Sequence, residues 1–370
     1  MAFRPPPYPH DRLHGLRAVA EGVDGGIVDA SVGTPVDPMP EVAVRALGDA
    51  APHATGYPPA VGVPAFREAA AAWMERRLGV AVAATDVVAC VGTKELVASL
   101  PRMLALRDPS RDTVLYPAVS YPTYAMGAAL AGLRAVPVPL DERWLPDLGR
   151  IAEADARRGL VLWLNEPANP TGSAATGDEL TAMVEWARGR GIVVASDECY
   201  VEYTEGQEPA SALGAGAEGV LAVHSLSKRS NMAGLRAGFV AGDTELGTYV
   251  GELRRHAGLM VPLPVQLAAA AALADDEHVA VQRERYAKRR AVLLPALEHA
   301  GLVHVGGDST FYLWLRGPAG EDGWTLAERL AAIGLLVAPG DFYGDDHHAR
   351  LSLTITDDDA TLAADRLTPR

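Results

Sequence analysis

With 370 residues, 49% of them hydrophobic, and a mean hydropathy of +0.06, the chain is long enough for two domains, or for one large α/β unit with a smaller appendage, and reads as soluble and globular. A formal charge of −14 with scattered arginines disfavours a nucleic-acid partner, whose phosphates would be repelled, and no apolar run is long enough for a membrane span. The stretch Met1 to Leu16 has prolines and charges where a signal peptide has an apolar segment, so the cytoplasm is the expected compartment.

In chain order, Val87 to Val91 reads as a buried strand, followed by a helix from Lys94 to Leu106. Thr113 to Tyr116 is a second strand, with a helix near Tyr124 to Gly132. Leu160 to Leu164, Ile192 to Ser196 and Val220 to His224 are continuous apolar strands, and a helix from Asp178 to Arg188 separates the first two. The alternation predicts a mostly parallel sheet with helices on both faces. Asp275 to His299 predicts one long amphipathic helix linking two domains, with Glu284 and Lys288 spaced as an i,i+4 pair. After Gly301 come a strand at Phe311 to Leu315, a helix around Thr325 to Ile333, a strand at Arg350 to Thr354 and a closing helix, which is an α+β pattern. The expected division is an arm of residues 1–40 belonging with the smaller domain, a large domain of residues 41–275 and a small C-terminal domain of residues 276–370. Cys90 and Cys199 sit in apolar segments without metal-ligand spacing to any histidine, which predicts structural roles and no metal. His347 and His348 are placed on a loop. No Gly-rich dinucleotide fingerprint follows a first strand, which argues against a Rossmann cofactor.

Lysine is scarce. Only Lys94, Lys228 and Lys288 occur, against thirty arginines, and arginine cannot act as a deprotonated amine because it never loses its proton. Lys228, within the stretch Ser225-Leu-Ser-Lys-Arg-Ser-Asn-Met-Ala-Gly-Leu-Arg-Ala-Gly-Phe239, is therefore a candidate nucleophile. An anion site is suggested by Val91-Gly92-Thr93-Lys94, where a strand ends and a helix opens, so that the free amides of Thr93 and Lys94 point beyond the strand end. Ser225 adds a hydroxyl, and Arg236 a fixed charge able to bind two oxygens. Asn169-Pro-Thr-Gly172 and Asp197-Glu-Cys-Tyr200 each follow a buried strand, at the carboxyl ends where open α/β sheets bind ligands. There Asp197 can keep a pyridine nitrogen protonated, Asn169 and Tyr200 can donate to a phenolate oxygen on the same ring, and Tyr121 offers a face for stacking.

These residues together resemble those of the fold-type I pyridoxal-phosphate enzymes of the class I/II aminotransferase family, over a match from about Asp29 to the C-terminus. The resemblance implies an α/β fold-type I architecture, pyridoxal 5'-phosphate as cofactor, and amino acids and keto acids as small-molecule substrates. It gives Lys228 the covalent attachment of the cofactor, Asp197 the ring nitrogen, and Tyr200 and Asn169 the ring oxygen. Gly92, Thr93, Lys94, Ser225 and Arg236 would hold the phosphate, with Tyr57 in Gly56-Tyr-Pro reaching the phosphate of the neighbouring subunit of a homodimer. Arg350 would clamp the substrate's α-carboxylate, under an N-terminal strip that contains Gly33. In that scheme Lys228 is both anchor and base, and the pose set by Arg350 decides which bond breaks.

A narrower resemblance, to actinobacterial N-succinyldiaminopimelate aminotransferases of lysine biosynthesis, rests on Val91 to Pro101, Tyr121-Pro-Thr-Tyr124, His224 to Lys228, Ala257 to Pro262 and Val337 to Gly344. It implies transfer between glutamate/2-oxoglutarate and N-succinyl-LL-2,6-diaminopimelate. Where aspartate-specific relatives place a second arginine, this chain has the apolar stretch Ala257 to Pro264, with Arg254 and Arg255 nearby. An aminotransferase of other specificity and a C-S lyase are the alternatives on the same fold. A cofactor-sensing regulator is disfavoured, because the stretch before Asp29 is too short for a DNA-binding domain.

Overall fold

Hydrophobic runs that must hide from water on both sides build the centre of the molecule. A computed structural model describes residues 3–368. Its first strand, β1 (Val28–Asp29), belongs to the periphery; the central sheet is made of β2 (Val87–Val91), β3 (Thr113–Pro117), β4 (Arg134–Val138), β5 (Gly159–Asn165), β6 (Val193–Asp197), β7 (Val220–Ser225) and β8 (Ala237–Gly242). Their spatial order is β2-β8-β7-β6-β5-β3-β4. The run from β7 to β4 is parallel, whereas β8 is antiparallel to both its neighbours, β2 and β7. Every residue of β5 is buried, because helices cover both faces of the sheet. Leu162 and Leu164 point into a core shared with Phe66, Trp73 and Leu180, while Val161 and Trp163 pack on the other face with Leu96, Leu100 and Tyr124.

The second sheet is antiparallel and smaller. After β9 (Val303–His304) and β10 (Tyr312–Arg316), β11 (Leu335–Leu336) turns away to pair in parallel with β1, and β12 (Ala338–Pro339) and β13 (His348–Ser352) complete the order β12-β13-β10-β9. The helix Glu277–His299 joins the two parts. The smaller sheet's core gathers Leu293, Leu313, Leu326 and Leu351, and it also takes in Tyr200 and Tyr203 from beyond the end of β6. The two cores therefore meet where the chain leaves the central sheet. Among the described residues, no helix is long and apolar enough to cross a membrane.

The helices expected from Lys94, Tyr124, Asp275 and Thr325 run over Thr93–Arg107, Thr123–Leu130, Glu277–His299 and Gly323–Ala331. The strand expected from Arg350 starts earlier, at His348. That removes His348 from the loop to which sequence assigned it: the ring is buried, stacks on Trp314 at 5.2 Å and meets an Asp345 carboxylate oxygen at 2.7 Å.

The turn that carries Asn169 is braced backbone to backbone by the segment ahead of β10. The amide of Gly307 donates to the Thr171 carbonyl at 2.9 Å, and that of Ser309 to the Gly172 carbonyl at 3.0 Å. A Cβ on Gly306 would fall on the Thr171 carbonyl oxygen, leaving no side chain to move aside. Gly306→Ala should accordingly cost about 2 kcal/mol or more, the range of overpacked sites. Denaturant unfolding checks this, and a loss below about 0.5 kcal/mol, typical of surface changes, would contradict the close approach.

Candidate active site

A cavity of about 270 Å³ opens where the central strands end. Parallel strands deliver Asn165, Asp197 and Ser225 to it from the last positions of β5, β6 and β7, and β8, running the other way, begins one residue after Arg236. The reversal of β8 is what allows a residue that precedes a strand to join those that end one. Of the residues singled out from sequence, Thr93, Lys94, Tyr121 and Asn169 line the cavity, as do Tyr200 and Lys228, and Gly33 and Arg350 close it from the arm and the smaller sheet. Gly92, the residue before Thr93, is not part of the lining. Tyr57 is outside the cavity and 97% exposed, on the loop between two helices.

Lys228 sits in the short helix Leu226–Arg229, whose first amides are capped by Ser225: its Oγ accepts from the Ser227 amide at 3.1 Å. Tyr203 fixes the same turn by donating its hydroxyl to the Lys228 carbonyl at 2.8 Å. The neighbouring Arg229 is buried and bound by Glu202, by Asp276 and by the Ala272 carbonyl, so the backbone on both sides of the lysine is immobilised. The ammonium donates to the Gly33 carbonyl of the arm. Burial, reinforced by the Arg350 and Arg236 charges, outweighs Cys199 and Asp197 and pulls the amine down to about 8.

Asp197 is buried, and burial raises its carboxyl above the ordinary value even though Cys199 and Tyr124 donate to it; the Tyr124 hydroxyl is 2.9 Å from Oδ2. A buried carboxyl with only neutral donors favours a cation beside it. Asn165 ties the two strand-end turns together, donating to the Asp197 carbonyl at 3.0 Å and accepting from the Asn169 amide at 2.9 Å. Tyr200 shares a 3.0 Å hydrogen bond with Tyr312, and burial keeps its phenol far above the ordinary range and neutral.

At the other end, Gly92 has φ 72°, which favours glycine, and the Arg236 guanidinium packs where a Cβ would stand, so a side chain there would also displace the arginine. The helix Thr93–Arg107 begins without a side-chain cap, which leaves its first amides for a ligand. Arg236 is itself in the left-handed region at φ 58°, a strained conformation of the kind that collects at working sites. The Lys94 ammonium turns to the arm, 3.0 Å from the Tyr8 hydroxyl and over that ring at 4.6 Å.

Arg350, on β13, is buried between the Tyr312 and Tyr343 rings, at 4.2 and 4.8 Å. Its two terminal nitrogens donate to Asn169 Oδ1 and to the Ser31 carbonyl, both at 2.8 Å, while Nε is buried without a partner. An unspent donor on a cation that lines the cavity suits a carboxylate. Of the two arginines near the apolar stretch, Arg254 is fully buried against Glu95 and Arg255 is exposed, and neither lines the cavity.

Sequence reasoning passed over Tyr8, His10, Tyr124, Cys199 and Tyr312, all of which line the cavity. Tyr124 had a usable signal, since it lies three residues after Tyr121 in the same short stretch; Tyr312 had none, because its strand reads simply as core.

The set fits the phosphate-bearing pyridine aldehyde expected from sequence. A half-buried amine of lowered proton affinity, a buried carboxyl without a cationic partner and an uncapped helix start beside an arginine occupy one cavity, as the aldehyde, ring nitrogen and phosphate would each require.

Residues 26–367 match the family model for aminotransferase class I and II. The chain is 46% identical to the 4-dedimethylamino-4-oxo-anhydrotetracycline transaminase of Streptomyces rimosus, over 98% of this chain and 99% of that protein. It is 36% identical to the LL-diaminopimelate aminotransferase of Aquifex aeolicus, over 98% of this chain and 96% of that one. A solved structure of a probable N-succinyldiaminopimelate aminotransferase from Thermus thermophilus superposes with a TM-score of 0.88 at 32% identity, covering 97% of this chain and 98% of that one.

The lowered amine gives a direct test. Only the neutral amine is a nucleophile, so competitive acetylation of the cofactor-free protein, read by mass spectrometry at Lys228 against exposed Lys288, should reach half its plateau near pH 8. A midpoint above about pH 10, where an ordinary lysine titrates, would contradict the role of burial.

Proposed function

This chain belongs to the class I and II aminotransferases, which depend on pyridoxal phosphate, and on that premise we propose that it exchanges an amino group between glutamate/2-oxoglutarate and N-succinyl-LL-2,6-diaminopimelate. Bound in the cavity, pyridoxal phosphate supplies an aldehyde that combines with amines and a ring that accepts the electrons left when a Cα proton departs. The observation that carries the residue assignment is the spare Nε donor of buried Arg350, in the same cavity as the lowered amine of Lys228.

On this reading Arg350 grips the substrate's α-carboxylate, stacked between two tyrosines that forbid it another pose. Lys228 would hold the cofactor's aldehyde and, as a free amine, would take the Cα proton and return it, a task suited to an amine of lowered proton affinity. Asp197 holds the ring nitrogen's proton in place, Tyr200 and Asn169 meet the ring oxygen, and Tyr121 covers a ring face. Gly92, Thr93, Lys94, Ser225 and Arg236 surround the phosphate, and Gly33 lies in the strip above the substrate. Residues 41–275 form the cofactor-binding domain, with 1–40 and 276–370 making the smaller one. Tyr57, wholly exposed in one chain, reaches the phosphate of a second subunit in a homodimer. The Lys94 ammonium beside Tyr8 provides a cation for a substrate arm that ends in a carboxylate.

A second reading has its own support. The 46% identity with a transaminase named for an oxo-anhydrotetracycline favours a bulky cyclic ketone as acceptor. A panel of amino donors with 2-oxoglutarate, read by glutamate formation, separates the two. N-succinyl-LL-2,6-diaminopimelate should exceed aspartate, aromatic and aliphatic donors by about tenfold or more in kcat/KM, the discrimination a built polar contact gives. No turnover of that donor, together with glutamate-dependent amination of a polycyclic ketone, would overturn the assignment in favour of the second reading.

A further inference from the structure

Behind the turn that would meet the phosphate lies an ion pair that no step above uses. Glu95 is the third residue of the helix Thr93–Arg107, in the turn whose free amides give that helix its positive end. A carboxylate there competes with any anion for the same field. It does not fold back on the helix start as a capping glutamate does; Arg254 Nη1 takes both of its oxygens, at 2.8 and 2.9 Å, and the Ser99 hydroxyl reaches one of them at 3.2 Å.

Arg254 is an unusual residue to find in this place. Its side chain has no exposure, its Nε donates to the Ala89 carbonyl of β2 at 3.2 Å, and its Nη2 is buried without a partner. It comes from the last turn of the helix Thr244–His256, where a cation suits the helix end. One guanidinium therefore joins the strand that leads into Gly92, the helix that leaves it and a third element. Arg254 is fully buried while the Glu95 side chain keeps 23% exposure, and an ion pair with a desolvated partner is a weak source of stability, which apolar residues of similar volume supply as well or better. Neither Glu95 nor Arg254 lines the cavity, although Thr93, Lys94 and Val97 from the same helix do.

We infer that Arg254 is a positioning residue for the cofactor phosphate: it neutralises Glu95 and pins it away from the amides of Thr93 and Lys94, so that the helix start stays open and positive for a dianion. This rests on the assignment of Gly92, Thr93 and Lys94 to the phosphate.

The test uses cofactor-free full-length protein, with inorganic phosphate and unphosphorylated pyridoxal as separate probes, each titrated by calorimetry. Arg254→Met leaves an uncompensated carboxylate behind the turn and should weaken phosphate binding by about tenfold, whereas Glu95→Gln leaves the cation and should strengthen it by about threefold, with pyridoxal affinity unmoved in both. Opposite signs are the signature of charge. If both variants weaken phosphate alike, or Arg254→Met binds it within about twofold of the parent, the pair is merely structural and the inference fails. Should Arg254→Met not fold, Glu95→Gln alone decides, since only the charge account has it bind phosphate more tightly. If the parent protein itself ignores phosphate and binds pyridoxal phosphate no better than pyridoxal, the phosphate assignment fails first.

Discussion

A half-buried primary amine, repelled by two guanidiniums and anchored on both sides, is the constraint that organises this molecule. An ammonium in that position loses hydration and is repelled by Arg350 and Arg236, and Asp197 only partly compensates. The fold keeps it there through the Tyr203 bond to its carbonyl, the Ser225 cap ahead of it and the buried Arg229 after it. Because the next residue is locked to Glu202 and Asp276, the backbone that carries the lysine is held at the cavity wall. The outcome is an amine that is substantially neutral near pH 8, as a nucleophile at ordinary pH must be.

Topology supplies the rest. Parallel strands place their last residues on one edge, and the single reversed strand, β8, brings Arg236 to that edge from the opposite direction. The smaller sheet contributes Arg350 and Tyr312 from neighbouring strands β13 and β10, and the arm contributes carbonyls at Ser31 and Gly33 that bind Arg350 and Lys228. The side of the cavity around Arg350 is thus built by pieces far apart in sequence, while the side around Asp197 and Ser225 comes from the ends of the central strands. Asn169 joins the two sides, touching Arg350 through its side chain and Asn165 through its backbone.

What could be read from sequence follows the strength of the physical signal. β5, β6 and β7 begin as uninterrupted apolar runs, with polar residues only at their carboxyl ends, and were legible because the middle of a strand covered on both faces is apolar. β4 was not, since Arg134, Ala135 and Pro137 are exposed at the sheet's edge. β8 was hidden by its glycines, and the two-residue strands β1, β11 and β12 are too short for any period to show. The motif residues lay at strand ends and so announced themselves; Tyr8 and His10 did not, because an irregular proline-rich arm carries no pattern that says what it covers. His348 was misplaced for a related reason: its burial comes from Trp144 and Trp314, which are remote in the chain.

The central claim is that Lys228, of three lysines, is the one that forms the covalent bond to pyridoxal phosphate. The most direct measurement is borohydride reduction of the cofactor-loaded protein followed by peptide mapping. The account predicts loss of the yellow absorbance with one phosphopyridoxyl group recovered on the peptide containing Lys228. A group recovered on Lys94 or Lys288 instead, or a protein that takes up no cofactor and stays colourless, would contradict it.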